Sequence, residues 1–228
     1  YYGLSFIVLP LGALLMNRIG ITRSLMVGTL AYLFAFTFAA LKGYVPLPVV
    51  VIGSFLFFFI HHVIYWVPFH TEFAATAPRK NLGEVLGGLG ALTSIVGLIA
   101  PVIAGFTIER FGYTFLIFIG AIFILTSLWP LPHIKTIRET YQYTYRETYQ
   151  VLFSKVHRTM FWVFSAQGAM DVVGTVLWPI FLYRLFHGSL VRVGINASLV
   201  IGVTIILQIL IGYVIDRWNG KALLRFGI

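Results

Sequence analysis

Seven blocks of mostly apolar residues, each close to the length that crosses a bilayer, dominate this sequence: Tyr1–Met16, Ile21–Leu41, Pro46–Phe69, Gly83–Ile108, Phe111–Leu131, Thr159–Phe186 and Val193–Ile215. The hydrocarbon core of a bilayer takes roughly 20 residues of α-helix. Inside it every backbone N–H and C=O must be paired within the protein, which leaves α-helices or a closed β-barrel. The apolar runs are continuous rather than alternating, so they read as helices. With 59% hydrophobic and 10% charged residues, no single soluble core could hide this much apolar surface. The expected fold is an all-α integral membrane bundle with about seven transmembrane helices.

Charge sets the orientation. The chain carries a net charge of +9, with its basic residues at the ends of the apolar blocks. Anionic headgroups lie there, so the charge calls for lipid and not for nucleic acid. Twelve of the 16 basic residues fall in alternate connections, among them Arg18, Arg23, Arg79, Lys80, Lys135, Arg158, Arg217 and Lys221. The opposite connections hold only Lys42, Arg110, Arg184 and Arg192. The positive-inside rule therefore puts loops 17–23, 70–82, 133–158 and 216–228 in the cytoplasm, and the plasma (inner) membrane is the expected location. There is no cysteine, hence no disulfide framework and no thiolate site. The chain opens without Met or a basic n-region and stops just after a basic loop, so both ends are expected to lie inside a longer protein.

The hydrophilic stretch 133–158 divides the chain into an N-terminal bundle (1–132) and the start of a second bundle (159–228). Residues 138–142 and 146–150 both read RETYQ. Tyr141, Tyr145 and Tyr149 recur every four residues, one face of a helix. The expectation is an amphipathic helix lying at the cytoplasmic headgroup level.

Two cytoplasmic loops are alike. Residues 212–221 read GYVIDRWNGK and residues 13–23 read ALLMNRIGITR. Each has a small residue, three apolar residues, Asp216 or Asn17, then Arg217 or Arg18, then Gly220 or Gly20, then Lys221 or Arg23. The acid and the amide stand 199 positions apart, on either side of the linker. This pattern resembles the major facilitator superfamily, whose signature loop follows its second and eighth helices. Asn17 and Ala13 replace the family's acid and glycine, and one extra residue precedes Gly220. The resemblance implies family helices 2 to 8. It implies that Asn17, Arg18, Gly20, Arg23, Gly212, Asp216, Arg217, Gly220 and Lys221 form conformational gating loops. The fourth block adds Gly97, Pro101 and Gly105, which resemble the small-residue pattern of the family's fifth helix and suit close helix packing. A dinucleotide loop is excluded for this glycine cluster, because no strand precedes it and it lies in an apolar span.

Polar groups at bilayer depth are costly and tend to face a cavity or a partner. Asp171 reads as the only acid within the apolar part of a span. Gln167 stands one turn before it, and on a uniform helix Thr175 and Trp178 continue that face. The third block holds His61, His62, Tyr65, Trp66 and His70. His62, Trp66 and His70 share a direction that His61 cannot, since neighbours on a helix diverge by about 100°. The resemblance makes these blocks family helices 4 and 7, which line the central cavity. Asp171, Gln167, His61, His62, Trp66 and Trp178 are therefore the expected substrate or proton pathway. Three histidine ligands on one face are not available, so no metal is expected. Gln208 reads as a contact between helices. No cofactor is expected.

The resemblance implies a secondary active transporter of a small solute working by alternating access, with protons as the candidate coupling ion. Two other classes compete. A membrane-embedded enzyme finds no HExxH, no nucleophile elbow and no catalytic carboxylate pair. A seven-helix receptor-like protein leaves the repeated cytoplasmic loop unexplained, and the seventh block has no lysine for a Schiff base.

Overall fold

A computed structural model describes residues 2–76, 82–134 and 140–215. Among them the chain is helical, with no strand. The helices are α1 (Tyr2–Ile19), α2 (Ile21–Ala40), α3 (Leu47–Thr76), α4 (Leu82–Phe111), α5 (Tyr113–Ser127), α6 (Tyr145–Leu152), α7 (Arg158–Val172), α8 (Trp178–Leu185) and α9 (Leu190–Ile215). A 3₁₀ turn follows α5 at Leu131–His133, and a π-helical turn, Val173–Leu177, joins α7 to α8. Among the described residues, six stretches are long and apolar enough to cross a membrane: Ile21–Ala40, Leu47–Thr76, Gly88–Phe111, Tyr113–His133, Arg158–Leu185 and Leu190–Leu207. The apolar helix within α1 is shorter.

The helix ends differ from the sequence expectation where local chemistry extends or stops a helix. α3 runs on to Thr76 instead of ending near Phe69, because residues 70–76 contain no breaker before Pro78. α9 starts at Leu190, three residues early, because Ser189 caps it: its hydroxyl accepts from the Arg192 N–H at 3.3 Å. Among the described residues of 133–158, the expected interfacial helix is the eight residues of α6. Thr144 sets its start by a capping box, in which Thr144 Oγ1 accepts from the Glu147 N–H and the Glu147 carboxylate accepts from the Thr144 N–H. Tyr141 therefore stands outside the helix and does not share a helical face with Tyr145 and Tyr149.

Packing divides the chain into two compact units, residues 1–80 with 113–174, and residues 81–112 with 175–228. In the first, α2 packs chiefly on α3, with α1 on α3 and α5 on α2. The best-buried apolar cluster is Met16, Ile21 and Leu25, around the turn between α1 and α2, with Tyr65, Val67, Leu131, Ile134 and Tyr141 against it. Gly20 makes that turn at φ 87°. Nothing lies near where its Cβ would stand, so glycine is needed there for its backbone conformation and not for space. Large side chains such as Phe123 and Trp162 stay exposed on the outside of their helices, at 71% and 66%. Lipid tails solvate such residues, as water could not.

In the second unit α4 and α9 run together along glycines. A Cβ on Gly105 would stand 2.6 Å from the Leu190 carbonyl oxygen, and a Cβ on Gly194 would fall on the Pro101 carbonyl. Gly97 faces Ile201, and Gly202 faces Leu98. Gly97, Pro101 and Gly105 thus all lie along the edge of α4 that meets α9. A methyl group at Gly105 or Gly194 must push the two backbones apart, at a cost of about 1–3 kcal/mol. Gly105→Ala and Gly194→Ala should each lower the midpoint of thermal unfolding in detergent. Gly90→Ala, where the space is open, should leave the midpoint unchanged or raise it. Equal effects at all three positions would contradict this packing.

Candidate functional site

On α3 the two adjacent histidines are in different surroundings. His61 is buried, and its Nδ1 is 2.9 Å from the Gly28 carbonyl of α2. Its ring stacks against Tyr32 and Tyr65, with centroids 4.5 and 4.9 Å away. Gly28 allows this approach, since a Cβ there would press on Tyr65. His62 is half-buried and points toward Trp66, which stacks on His70 at 5.5 Å. Phe69 lies edge-on to both Trp66 and His70. His62, Trp66, Phe69 and His70 thus form a ladder on another face from His61. Trp66 and His70 are exposed.

At the end of α7, Gln167 Nε2 donates to Asp171 Oδ1 at 3.0 Å. Both residues are exposed. The pair ends at the π turn 173–177, and Trp178 and Pro179 open α8. Pro179 cannot supply an N–H to the preceding turn, which relaxes into the wider π geometry. Thr175 lies inside the π turn and Trp178 just after it, so neither follows the uniform helical register that their spacing suggests. The boundary between the two packing units falls within this same turn.

The first loop is described from Asn17 to Arg23. Arg18 and Arg23 are exposed, and Gly20 turns the chain. Asn17 makes a two-point pair with the backbone of Tyr141: Nδ2 donates to the Tyr141 carbonyl at 2.7 Å, and the Tyr141 N–H donates to Oδ1 at 2.7 Å. This suits an amide, rather than an acid, at position 17. A carboxylate could accept from the N–H but would oppose the carbonyl. In the second loop Gly212 lies within α9, whereas Asp216, Arg217, Gly220 and Lys221 lie outside the described residues. Arg79 and Lys80 lie outside them as well. Gln208 is on α9, but its side chain is not among those described.

Two acids were missed in the sequence. Glu72, expected in a loop, is on α3, and it is buried with neither carboxylate oxygen hydrogen-bonded among the described residues. Asp171 is therefore not the only acid within a span. Glu109, near the end of α4, accepts from the Val191 N–H at 2.9 Å and from the Ser189 hydroxyl at 3.1 Å. It thus closes the start of α9, where a helix N-terminus favours negative charge. The signal available in the sequence was the pair Ser189 and Arg192 at capping spacing, but nothing in it linked that helix start to a residue 80 positions earlier. Among the described residues no cluster of three or more His, Asp or Glu is placed to hold a metal ion.

Among the described residues, helices long and apolar enough to cross a membrane define a polytopic helical membrane protein. The Major Facilitator Superfamily model matches residues 1–228. The chain belongs to that superfamily of membrane transporters, and is an integral membrane protein. No curated protein and no solved structure matches it.

The capping box gives a pH dependence outside the spans. Hydrogen bonds from the Thr144 N–H and hydroxyl hold the Glu147 carboxyl below the ordinary glutamate range. A lowered folded-state pKa stabilises the start of α6 above the ordinary value. That contribution is lost as pH falls through the folded-state pKa. Amide-exchange protection at Glu147 and Thr148 should fall on acidification in the native chain and stay level in Glu147→Gln, whose amide can still close the box. Identical profiles for the two would refute the assignment.

Proposed function

We propose that the protein is a secondary active transporter of a small solute, working by alternating access, with protons as the coupling ion. The observation that carries the reading is the Gln167–Asp171 pair, directly before the π turn of its span. An acid at bilayer depth can bind and release a proton in each cycle, and a neutral amide beside it can hold the side chain in either state. A π turn leaves a helix locally free of regular 1–4 pairing, and such turns are frequent at functional sites. In this reading Asp171 carries the proton, Gln167 orients it, and His62, Trp66 and Trp178 line the path. His61, held in the α2–α3 contact, is the remaining candidate for that path. The loops at Asn17, Arg18, Gly20 and Arg23 and at Gly212, Asp216, Arg217, Gly220 and Lys221 bias the conformational equilibrium. The likeness of these loops supports two half bundles, 1–132 and 159–228, joined by a cytoplasmic linker 133–158, in a plasma membrane.

Uptake driven by an imposed pH gradient tests the assignment of Asp171. Asp171→Asn should abolish gradient-driven accumulation and keep downhill exchange. Unchanged accumulation in Asp171→Asn would remove it as the coupling site. Asp216→Asn should slow transport while solute binding stays within a few-fold, because the loop is far in sequence from the mid-span polar groups. Loss of binding equal to the loss of transport would reject a gating role.

A further inference from the structure

The RETYQ repeat has no part in the transport reading, yet its second copy meets α1 at a particular defect. Pro10 lies inside α1. A proline has no N–H, so the carbonyl four residues back loses its helical donor. That carbonyl belongs to Phe6. The Tyr149 hydroxyl donates to it at 2.8 Å, shared with the Ile7 carbonyl at 3.0 Å. The Tyr145 hydroxyl donates to Ile7 alone, at 3.0 Å. Ile7 differs from Phe6, because regular helical geometry still gives its carbonyl the Leu11 N–H.

Other contacts hold the linker on the same helix. The Phe6 ring packs on Tyr149, Phe153 and Phe161, with centroids 5.5, 6.4 and 6.1 Å away. Nearer the other end of α1, the Asn17 amide holds the Tyr141 backbone at two points. The Tyr141 hydroxyl meets the Thr148 hydroxyl of α6 at 2.5 Å. Asn17 and Ile7 are ten residues apart, or about 15 Å along a helix. The linker therefore follows α1 over that length rather than crossing it at one point. The tyrosines of the two RETYQ copies act differently: Tyr141 is held by its backbone and Tyr149 by its hydroxyl. Burial, then the hydrogen bond with Tyr145, pushes the Tyr149 phenol up to about 12, so it remains a donor throughout the physiological range.

We propose that Tyr149 is a positioning residue that replaces the hydrogen bond Pro10 removes from α1, and that together with the Asn17–Tyr141 pair it fastens the interbundle linker along α1 as a strap. The strap makes the linker and α1 move as one body. The Phe6 carbonyl lacks its helical donor, and the Tyr149 hydroxyl supplies one. This bond is made only while α6 is docked on α1. The proposal does not rest on the role assigned to Asp171.

The absence of cysteine makes site-directed spin labelling clean. Labels would be placed at Val27 on α2 and Gln150 on α6, both exposed, in the transporter reconstituted in nanodiscs. The distance distribution should show one narrow population. Tyr149→Phe removes only the hydroxyl and should abolish that narrow population. Tyr145→Phe should keep it, since the Ile7 carbonyl retains its helical donor. In a Pro10→Ala background the restored backbone N–H can take the Phe6 carbonyl, and Tyr149→Phe should then cause no further broadening. Asn17→Asp, at the other anchor, should broaden the distribution without any change at Pro10. The proposal is overturned if Tyr149→Phe leaves the distribution unchanged, if Tyr145→Phe and Tyr149→Phe broaden it equally, or if Tyr149→Phe acts equally in the native and the Pro10→Ala backgrounds. The Tyr145 comparison decides the matter even where Pro10→Ala does not fold.

Discussion

A backbone inside lipid has nothing but itself to hydrogen-bond to, and this accounting governs the rest of the structure. Regular helices close most of the account locally. What remains is a short set of exceptions, where a proline removes a donor or a helix begins with unpaired N–H groups. At Pro10 the Phe6 carbonyl takes a tyrosine hydroxyl from the linker. At Pro179 the preceding turn widens into π geometry. At the start of α9, Glu109 of α4 and Ser189 supply the acceptors. Each of these three draws in a group from elsewhere or loosens the helix.

Association between the helices follows from the same setting. Lipid tails are as apolar as leucine, so burial alone gives two helices little reason to meet. Close backbone approach takes its place. α4 and α9 meet through Gly105 and Gly194, and Glu109 fixes their register at one end. Between α2 and α3, Gly28 makes room for Tyr65, and its carbonyl takes the His61 ring. That contact explains why two neighbouring histidines sit in such different places: one is absorbed in a helix–helix contact, while the other continues a ladder with Trp66 and His70.

Membership of the superfamily makes the departures from its pattern informative. Asn17 stands where an acid is usual, and the Tyr141 backbone beside it needs both an acceptor and a donor. The substitution and the linker contact are thus one feature, because an amide offers both groups where a carboxylate only accepts. A sequence comparison alone would score the change as a weakened motif.

The sequence by itself determined that this is a helical membrane protein of the major facilitator kind, and nearly where its spans lie. Hydrophobicity acts over whole stretches of about 20 residues, and that signal survives without any knowledge of neighbours. The Gln167–Asp171 pair was legible too, because residues four apart on a helix meet regardless of tertiary context. Only the tertiary structure decided that Tyr149 and not Tyr145 meets the carbonyl opened by Pro10, that Glu109 caps a helix 80 positions later, and that Glu72 is buried on α3. Such contacts depend on which helices adjoin and in what register. Lipid, which solvates every apolar face alike, writes no periodicity into the sequence from which that register could be read.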